Sequence, residues 1–457
     1  MSLEKAGRQK SAQRAELTRQ RRGEAPGMRR SDEAETATDG DERSGIEHLM
    51  ERVVDGSNVQ AALKRVKQNK GSPGIDGMTV EELPTWLVTG WVAVREQLLA
   101  GTYRPKPVRE QEIPKSDGGI RKLGIPTVLD RLIQLAILQV LQPKFDPTFS
   151  EHSHGFRPGR SAHDAVREAQ QYIQSGKKWV VDVDLEKFFD RVNHDVLMGR
   201  LEKRIGDKRM LGLIRRYLEA GIMADGVVTE RYEGTPQGGP LSPLLANVLL
   251  DEVDKELEKR GHAFVRYADD CNVYVASKRA GEDVMQLLKK LYARLRLQIN
   301  ETKSAVAKPR DRKFLGYSFW TDKGTVKPCV AWKALEALKD RVRGITDRNG
   351  GRSIKAAIDD LRSYLPGWKQ YFRLAQSPSI FRKLDEWLRH RLRQMQLKQW
   401  KRGKTVYREL RRLGTPEILA RQAAANSSRW WKTSAGPLQF ALPNKHFDNL
   451  GVPRLAS

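Results

Sequence analysis

The stretch Phe264-Val265-Arg266-Tyr267-Ala268-Asp269-Asp270-Cys271-Asn272-Val273-Tyr274-Val275 constrains this chain more than any other. Two apolar, β-prone runs flank a short polar step, which predicts a β-hairpin with Asp269 and Asp270 at its tip. A tip of that kind sets two carboxylates where a hard cation such as Mg²⁺ reaches them. Adjacent acids also serve in plain turns, because Asp hydrogen-bonds its own backbone. On its own the pair fits either reading.

A second acidic segment upstream changes the balance: Trp179-Val180-Val181-Asp182-Val183-Asp184-Leu185-Glu186-Lys187-Phe188-Phe189-Asp190. Val181, Val183 and Leu185 alternate with Asp182 and Asp184, so a strand here puts the apolar set on one face and both acids on the other. A solvated edge strand has the same pattern. Yet charge flanked by large apolar residues is costly unless a cation or partner is near. Paired with the hairpin, this strand gathers distant carboxylates on one sheet, as two-metal phosphoryl transfer requires.

Charge points to the partner. The formal net charge is +26 and the pI about 10, which fits a polyanion whose binding weakens with salt. A ribosomal-type RNA-binding protein without catalysis shares that charge. The paired acids argue against it, since carboxylates facing phosphates repel unless metals intervene. Two cysteines, Cys271 and Cys329, are too few for a disulfide framework or a four-cysteine zinc site. No apolar run approaches a membrane span, and no signal-peptide core opens the chain, so a cytoplasmic setting without membrane attachment is expected.

In order along the chain, these segments resemble the bacterial group II intron-encoded reverse transcriptase/maturase family, from about residue 46 to the C-terminus. Tyr267-Ala268-Asp269-Asp270 resembles its YADD box, and Asp184 its other palm acid. Gly234-Thr235-Pro236-Gln237-Gly238-Gly239-Pro240-Leu241-Ser242-Pro243 is similar to its PQG box. Ile113-Pro114-Lys115, Arg121-Lys122-Leu123-Gly124-Ile125-Pro126 and His154-Gly155-Phe156-Arg157-Pro158-Gly159-Arg160-Ser161 resemble its fingers motifs, and Phe314-Leu315-Gly316-Tyr317 its last palm motif. One such box is weak; the ordered set is specific.

The resemblance implies an α+β right-hand polymerase, with fingers, an antiparallel-sheet palm and a helical thumb/maturase domain X. It implies an RNA-directed DNA polymerase that works in intron mobility and assists splicing. Asp184, Asp269 and Asp270 are then the catalytic acids and the ligands of two Mg²⁺ ions, with Asp270 orienting more than holding. Arg109, Lys115 and Arg121 match triphosphate-binding positions, Gln237 lies at the nucleotide's minor-groove side, and Phe189 resembles a sugar gate selecting deoxynucleotides. Lys303 matches a basic position near the site. Each has a plainer alternative: Arg109 and Arg121 in a solvated charged hairpin, Phe189 in the palm core, Lys303 on the surface. Implied partners are group II intron RNA, an RNA template with a DNA primer, target DNA and deoxynucleoside triphosphates. A reverse transcriptase recruited to a host role, in DNA repair or phage defence, and a binding-only splicing maturase are the competing readings.

The expected organisation has four parts. Residues 1–45 carry a basic then an acidic cluster and too few apolar residues to order, so they read as a disordered charged tail. Residues 46–325 form fingers and palm. Residues 326–425 form the helical thumb, where Ile354, Ala357, Ile358, Leu361, Leu365 and Trp368 recur at helical spacing, as do Ile380, Phe381, Leu384, Trp387, Leu388, Leu392 and Met395. Around that second helix stand Arg382, Lys383, Arg389, Arg391, Arg393, Lys398, Lys401 and Arg402, a basic surface for RNA or DNA phosphates. Residues 426–457 form a short DNA-contacting segment, too short for an endonuclease, so the primer is expected to come from elsewhere.

Overall fold

The computed structural model describes residues 48–114, 119–224, 227–229 and 232–456. The charged tail and Lys115 lie outside them.

Local signals set the first elements. Helices α1 (Leu49–Val53), α2 (Gly56–Asn69) and α3 (Leu83–Leu99) open the described chain. The Asp55 carboxylate caps α2 by accepting from the Ser57 and Asn58 N–H groups, and Lys70 ends it in the left-handed region. Strands β1 (Val108–Pro114) and β2 (Ile120–Ile125) pair antiparallel with Ile113 opposite Arg121, the expected fingers hairpin. Helix α4 (Val128–Phe145) buries most of its circumference, which marks it as a central core helix. Helix α5 (Ala162–Gln174) begins with a capping box between Ser161 and Asp164.

Next come β3 (Trp179–Val183), α6 (His194–Glu202), α7 (Lys208–Glu219), β4 (Ile222–Ala224), β5 (Val227–Thr229), α8 (Ser242–Lys259), β6 (Ala263–Tyr267), β7 (Asp270–Val275), α9 (Lys278–Arg294) and β8 (Ala305–Ala307). Two four-stranded sheets result. The fingers sheet has the order β2-β1-β4-β5, and the palm sheet β6-β7-β3-β8. All palm pairings are antiparallel. The acid-bearing β3 is therefore an interior strand, not a solvated edge.

The palm sheet is buried on both faces. Val181, Val183 and Leu185 enter the core shared with α4, α8 and α9. Val180, Val265 and Tyr274 face a second core, closed by α5 and the thumb. Exposure rises along that second face, from buried Val180 to half-buried Asp182 and Asp184. The acids thus sit where the cover ends.

A hairpin of β9 (Tyr317–Asp322) and β10 (Thr325–Val330) leads to helices α10 (Trp332–Ile345), α11 (Ile354–Tyr371), α12 (Pro378–Trp400), α13 (Gly403–Arg412), α14 (Glu417–Ala425), α15 (Trp430–Ala435), α16 (Pro437–Ala441) and α17 (Asn444–Asn449). Both helices read from apolar spacing are present as α11 and α12. Trp368 packs tilted against Phe372 and edge-on against Phe381 inside this unit. The last residues do not stand apart from it. Leu438, Leu442, Phe447, Val452 and Leu455 are buried in the thumb core, and the Asp385 carboxylate accepts from the Leu455 and Ala456 N–H groups.

Candidate active site

Register brings the acids together. Val183 pairs with Cys271 and Tyr267 with Asp270, so the end of β3 lies beside the β6–β7 turn. Only Ala268 and Asp269 separate the two hairpin strands, and Ala268 holds a φ of +58°, an uncommon conformation for a residue with a side chain. Asp184 is fixed from behind: its N–H donates to Ser304 Oγ (3.0 Å), and its carbonyl accepts from the Asn300 N–H (2.9 Å).

The carboxylates feel one another. Burial first, then the charges of Asp269, Asp182 and Asp184, push Asp270 up to about 7, although much of its surface faces solvent. Burial, followed by the Asp184 charge, also raises Asp269, against the pull of Arg121 and Arg266. Asp182 is raised by burial too, and Arg312 offsets part of this with Nε and Nη2 on Oδ2 (2.7 and 2.6 Å). The Asn272 amide, turned with its nitrogen inward, donates to Asp182 Oδ1 (2.9 Å). Asp182 thus has its own cationic partner, whereas among the described residues Asp184, Asp269 and Asp270 make no ion pair.

That donor set fits a divalent cation. The oxygens are hard, and their mutual repulsion is the kind a cation relieves. Among the described residues no three acidic, histidine or cysteine side chains close into a ready-made cage. Mg²⁺ does not need one, because it takes one or two carboxylates and completes its shell with water and substrate phosphate.

A buried ion pair supports the turn. Arg266 is fully buried and donates to both oxygens of buried Asp254 (2.6–2.9 Å), to Asn247 Oδ1 (2.9 Å), to Ser153 Oγ (2.7 Å) and to the Ala268 carbonyl (2.8 Å). The last bond grips Ala268, the positive-φ residue of the β6–β7 turn, directly. Asn247 also donates to the Gly155 carbonyl (3.0 Å). A Cβ on Gly155 would overlap the backbone of Tyr267 and Ala268, so glycine alone lets residues 152–155 lie under the turn. This network escaped the sequence reading. Its signal was there, since Arg266 in an apolar run calls for a buried anion.

The other expected site residues are distributed as follows. Arg121 is exposed on β2 and close enough to act electrostatically on Asp269. Arg109 donates Nε and Nη2 to the Pro73 carbonyl (3.1 and 3.0 Å), which ties the preceding loop to β1. The Gln237 carbonyl accepts from the Gly124 N–H (3.0 Å), and Gly238 passes close over the Gly124 carbonyl, so the PQG turn rests on the fingers. Phe188 fills the core and Phe189 is half-exposed, with ring centroids 5.1 Å apart. Lys303 is exposed, and its carbonyl accepts from Arg312.

The basic thumb surface needs a correction. Arg389 and Arg393 are buried, not available to nucleic acid. Arg389 pairs with Asp385 (3.2 Å) and Asp448 (2.6 Å), and Arg393 donates to the Leu442 carbonyl (2.8 Å) and Asn444 Oδ1 (2.7 Å). Helical spacing placed them on the face that α15 to α17 cover, and sequence gave no warning of that cover. Arg382, Lys383, Lys398, Lys401 and Arg402 are exposed, and Arg391 is half-buried.

Strand order, turn and acid cluster define the palm of a right-hand polymerase. Residues 113–319 match the family model for reverse transcriptase (RNA-dependent DNA polymerase), and residues 335–414 that for the group II intron maturase-specific domain. Protein YkfC of Escherichia coli is 37% identical over 221 residues, 47% of this chain and 58% of that protein. Group II intron-encoded protein LtrA of Lactococcus lactis is 43% identical over 161 residues, 35% of this chain and 27% of LtrA. Among solved structures, a partial Cas6-RT-Cas1–Cas2 complex matches at 29% identity and a TM-score of 0.35, over 54% of this chain and 42% of that one. The matches span less than two thirds of these relatives' own length. The chain belongs to the group II intron-encoded reverse transcriptase/maturase family.

Proposed function

We propose that this protein is an RNA-directed DNA polymerase encoded by a group II intron, acting as reverse transcriptase in intron mobility and as a maturase that holds intron RNA for splicing. The observation that carries this reading is the convergence of Asp184 with Asp269 and Asp270, ahead of a segment that matches the maturase model. The substrates are deoxynucleoside triphosphates, an RNA template with a DNA primer, and target DNA. The setting is the bacterial cytoplasm. Among the described residues no helix is long and apolar enough to cross a membrane.

In this reading Asp184 and Asp269 would hold two Mg²⁺ ions, with Asp270 as a third, orienting acid, and the ions would supply charge stabilisation for the attacking 3′-hydroxyl and the departing pyrophosphate. The chain's own groups do the rest by position. Arg121, with Lys115 from outside the described residues, faces the triphosphate with positive charge. Phe189 stands beside the sugar and excludes a 2′-hydroxyl. Gln237, on a turn braced by the fingers, meets the base pair. Exposed Arg382, Lys383, Lys398, Lys401 and Arg402, together with Lys303, meet phosphates.

Primer extension on an RNA template with Mg²⁺ and deoxynucleotides, wild type beside Asp269→Ala, is the test. The wild type should make DNA, and the variant should lose at least about 10³-fold of that rate while keeping its RNA affinity. No product from either protein, with tight RNA binding retained, would move the assignment to a splicing cofactor without chemistry.

A further inference from the structure

The thumb holds a second concave site, far in sequence from the acids. Thr346, Asp347, Arg348, Asn349, Arg391, Gln394 and Trp431 line a cavity of about 400 Å³. That volume lies within the range of small-ligand sites.

Three features of the lining point to a ligand. Gln394 is only 4% exposed, and its side-chain amide makes no hydrogen bond to any described residue. The cavity, not the protein, is therefore where this amide finds its hydrogen-bond partners. The amide opens on the cavity and offers a donor and an acceptor side by side. Trp431 is 61% exposed, an unusual position for so large an apolar ring. Its ring is steadied by His390, 3.9 Å away between centroids, and His390 is held in turn by Ser434 Oγ (2.7 Å). The third feature is Arg391. Its Nε donates to Thr346 Oγ1 (3.1 Å), and its Nη2 to the Arg343 and Thr346 carbonyls (3.3 and 3.2 Å). Burial, then the neighbouring Arg343 and Arg348, disfavour its charge, and Asp347 alone opposes them. An anion would relieve that crowding.

An amide edge, a flat aromatic wall and a fixed guanidinium are together the parts that hold a nucleotide: hydrogen bonds to a base edge, stacking, and a phosphate contact. We propose that this cavity receives one unstacked nucleotide of a bound RNA, its base against Trp431 and Gln394 and its phosphate at Arg391 and Arg348. RNA is the carrier of choice because bulges and loops present single splayed bases, and because the maturase model spans every lining residue except Trp431. The assignment rests on the RNA-binding reading above and gives it a specific subsite.

The probe is an RNA hairpin with one bulged 2-aminopurine, compared with the same hairpin fully paired, titrated with the full chain. The wild type should bind the bulged hairpin about tenfold tighter, with the fluorescence of the probe base quenched by stacking. Trp431→Ala and Gln394→Leu should each erase most of that preference and leave the paired hairpin's affinity unchanged. Gln394→Leu should also keep the melting temperature, since it removes no hydrogen bond within the protein, so it carries the test if Trp431→Ala folds poorly. Equal affinity of the wild type for both hairpins, or a preference that survives both changes, would overturn the proposal. So would displacement of the bulged hairpin by micromolar adenosine monophosphate, which would make the site one for free nucleotides. Absence of binding to the paired hairpin would instead count against the RNA-binding reading itself, and primer extension on the same preparations reports the polymerase separately.

Discussion

If Asp270 helps hold a divalent cation as proposed, a proton and that cation compete for the same oxygens. In the unfolded chain this carboxyl releases its proton near the ordinary value of 3.8, whereas in the folded chain it keeps it up to about 7. Between those values the native state binds the extra proton, so stability falls as pH rises from about 4 to about 7 and then levels off. A cation that needs the ionised form should reverse the trend. The melting temperature in chelator should therefore drop between about pH 5 and about pH 8, and Asp270→Asn should flatten the drop. Added Mg²⁺ should raise the wild-type melting temperature more at about pH 8 than at about pH 6. A Mg²⁺ effect independent of pH would argue against the site. The acids themselves were legible in the sequence, because alternation in β3 and the break before β7 both leave a pattern. The partner of Asp182 was not, since Arg312 lies 130 residues away in a loop without periodicity.

For single elements, the β6–β7 hairpin depends on groups outside itself. Removing one member of a buried ion pair leaves the other charge stranded, at a cost of about 3–5 kcal/mol. Asp254→Ala should therefore lower stability by that much in urea unfolding. Gly155→Ala should act differently. Its methyl group meets the backbone of Ala268, so it displaces the turn more than it weakens the fold. A misplacement of about 1 Å at a reacting centre costs about 100-fold in rate, so primer extension should fall by about that factor with RNA affinity preserved. A full-rate Gly155→Ala would show that the turn tolerates the shift. Sequence pattern announced the hairpin and left its footing hidden, because the footing joins three separate segments around one arginine.

Across the molecule, charge is divided between surface and interior. The +26 excess suggests an all-purpose phosphate surface, yet Arg389 and Arg393 hold the thumb together. Replacing both exposed Lys401 and Arg402 by alanine should reduce the slope of log affinity against log salt by roughly 1–2 for an RNA ligand. Arg389→Ala should leave that slope alone and lower the urea midpoint, since it removes the buried guanidinium that ties Asp385 to Asp448. The reverse pattern would restore Arg389 to the binding surface. The thumb helices could be read from periodicity and the acid-bearing strand from alternation, while the fold class came from the resemblance of the ordered motifs. The docking of α15 to α17 on α12 could not, because short helices with mixed faces carry no strong period.

The Arg266 network also has a consequence for biosynthesis. Ser153 and Arg266 are 113 residues apart, and a ribosome adding about 5–20 residues per second takes roughly 6–23 s to travel between them. During that interval the segment under the catalytic turn has nothing to rest beneath. The acid-bearing turn, the proposed polymerase centre, is completed only when the emerging hairpin delivers its guanidinium to a carboxylate on α8, translated just before it. A truncated nascent chain that stops short of residue 266 would hold most of the fingers and no active site at all.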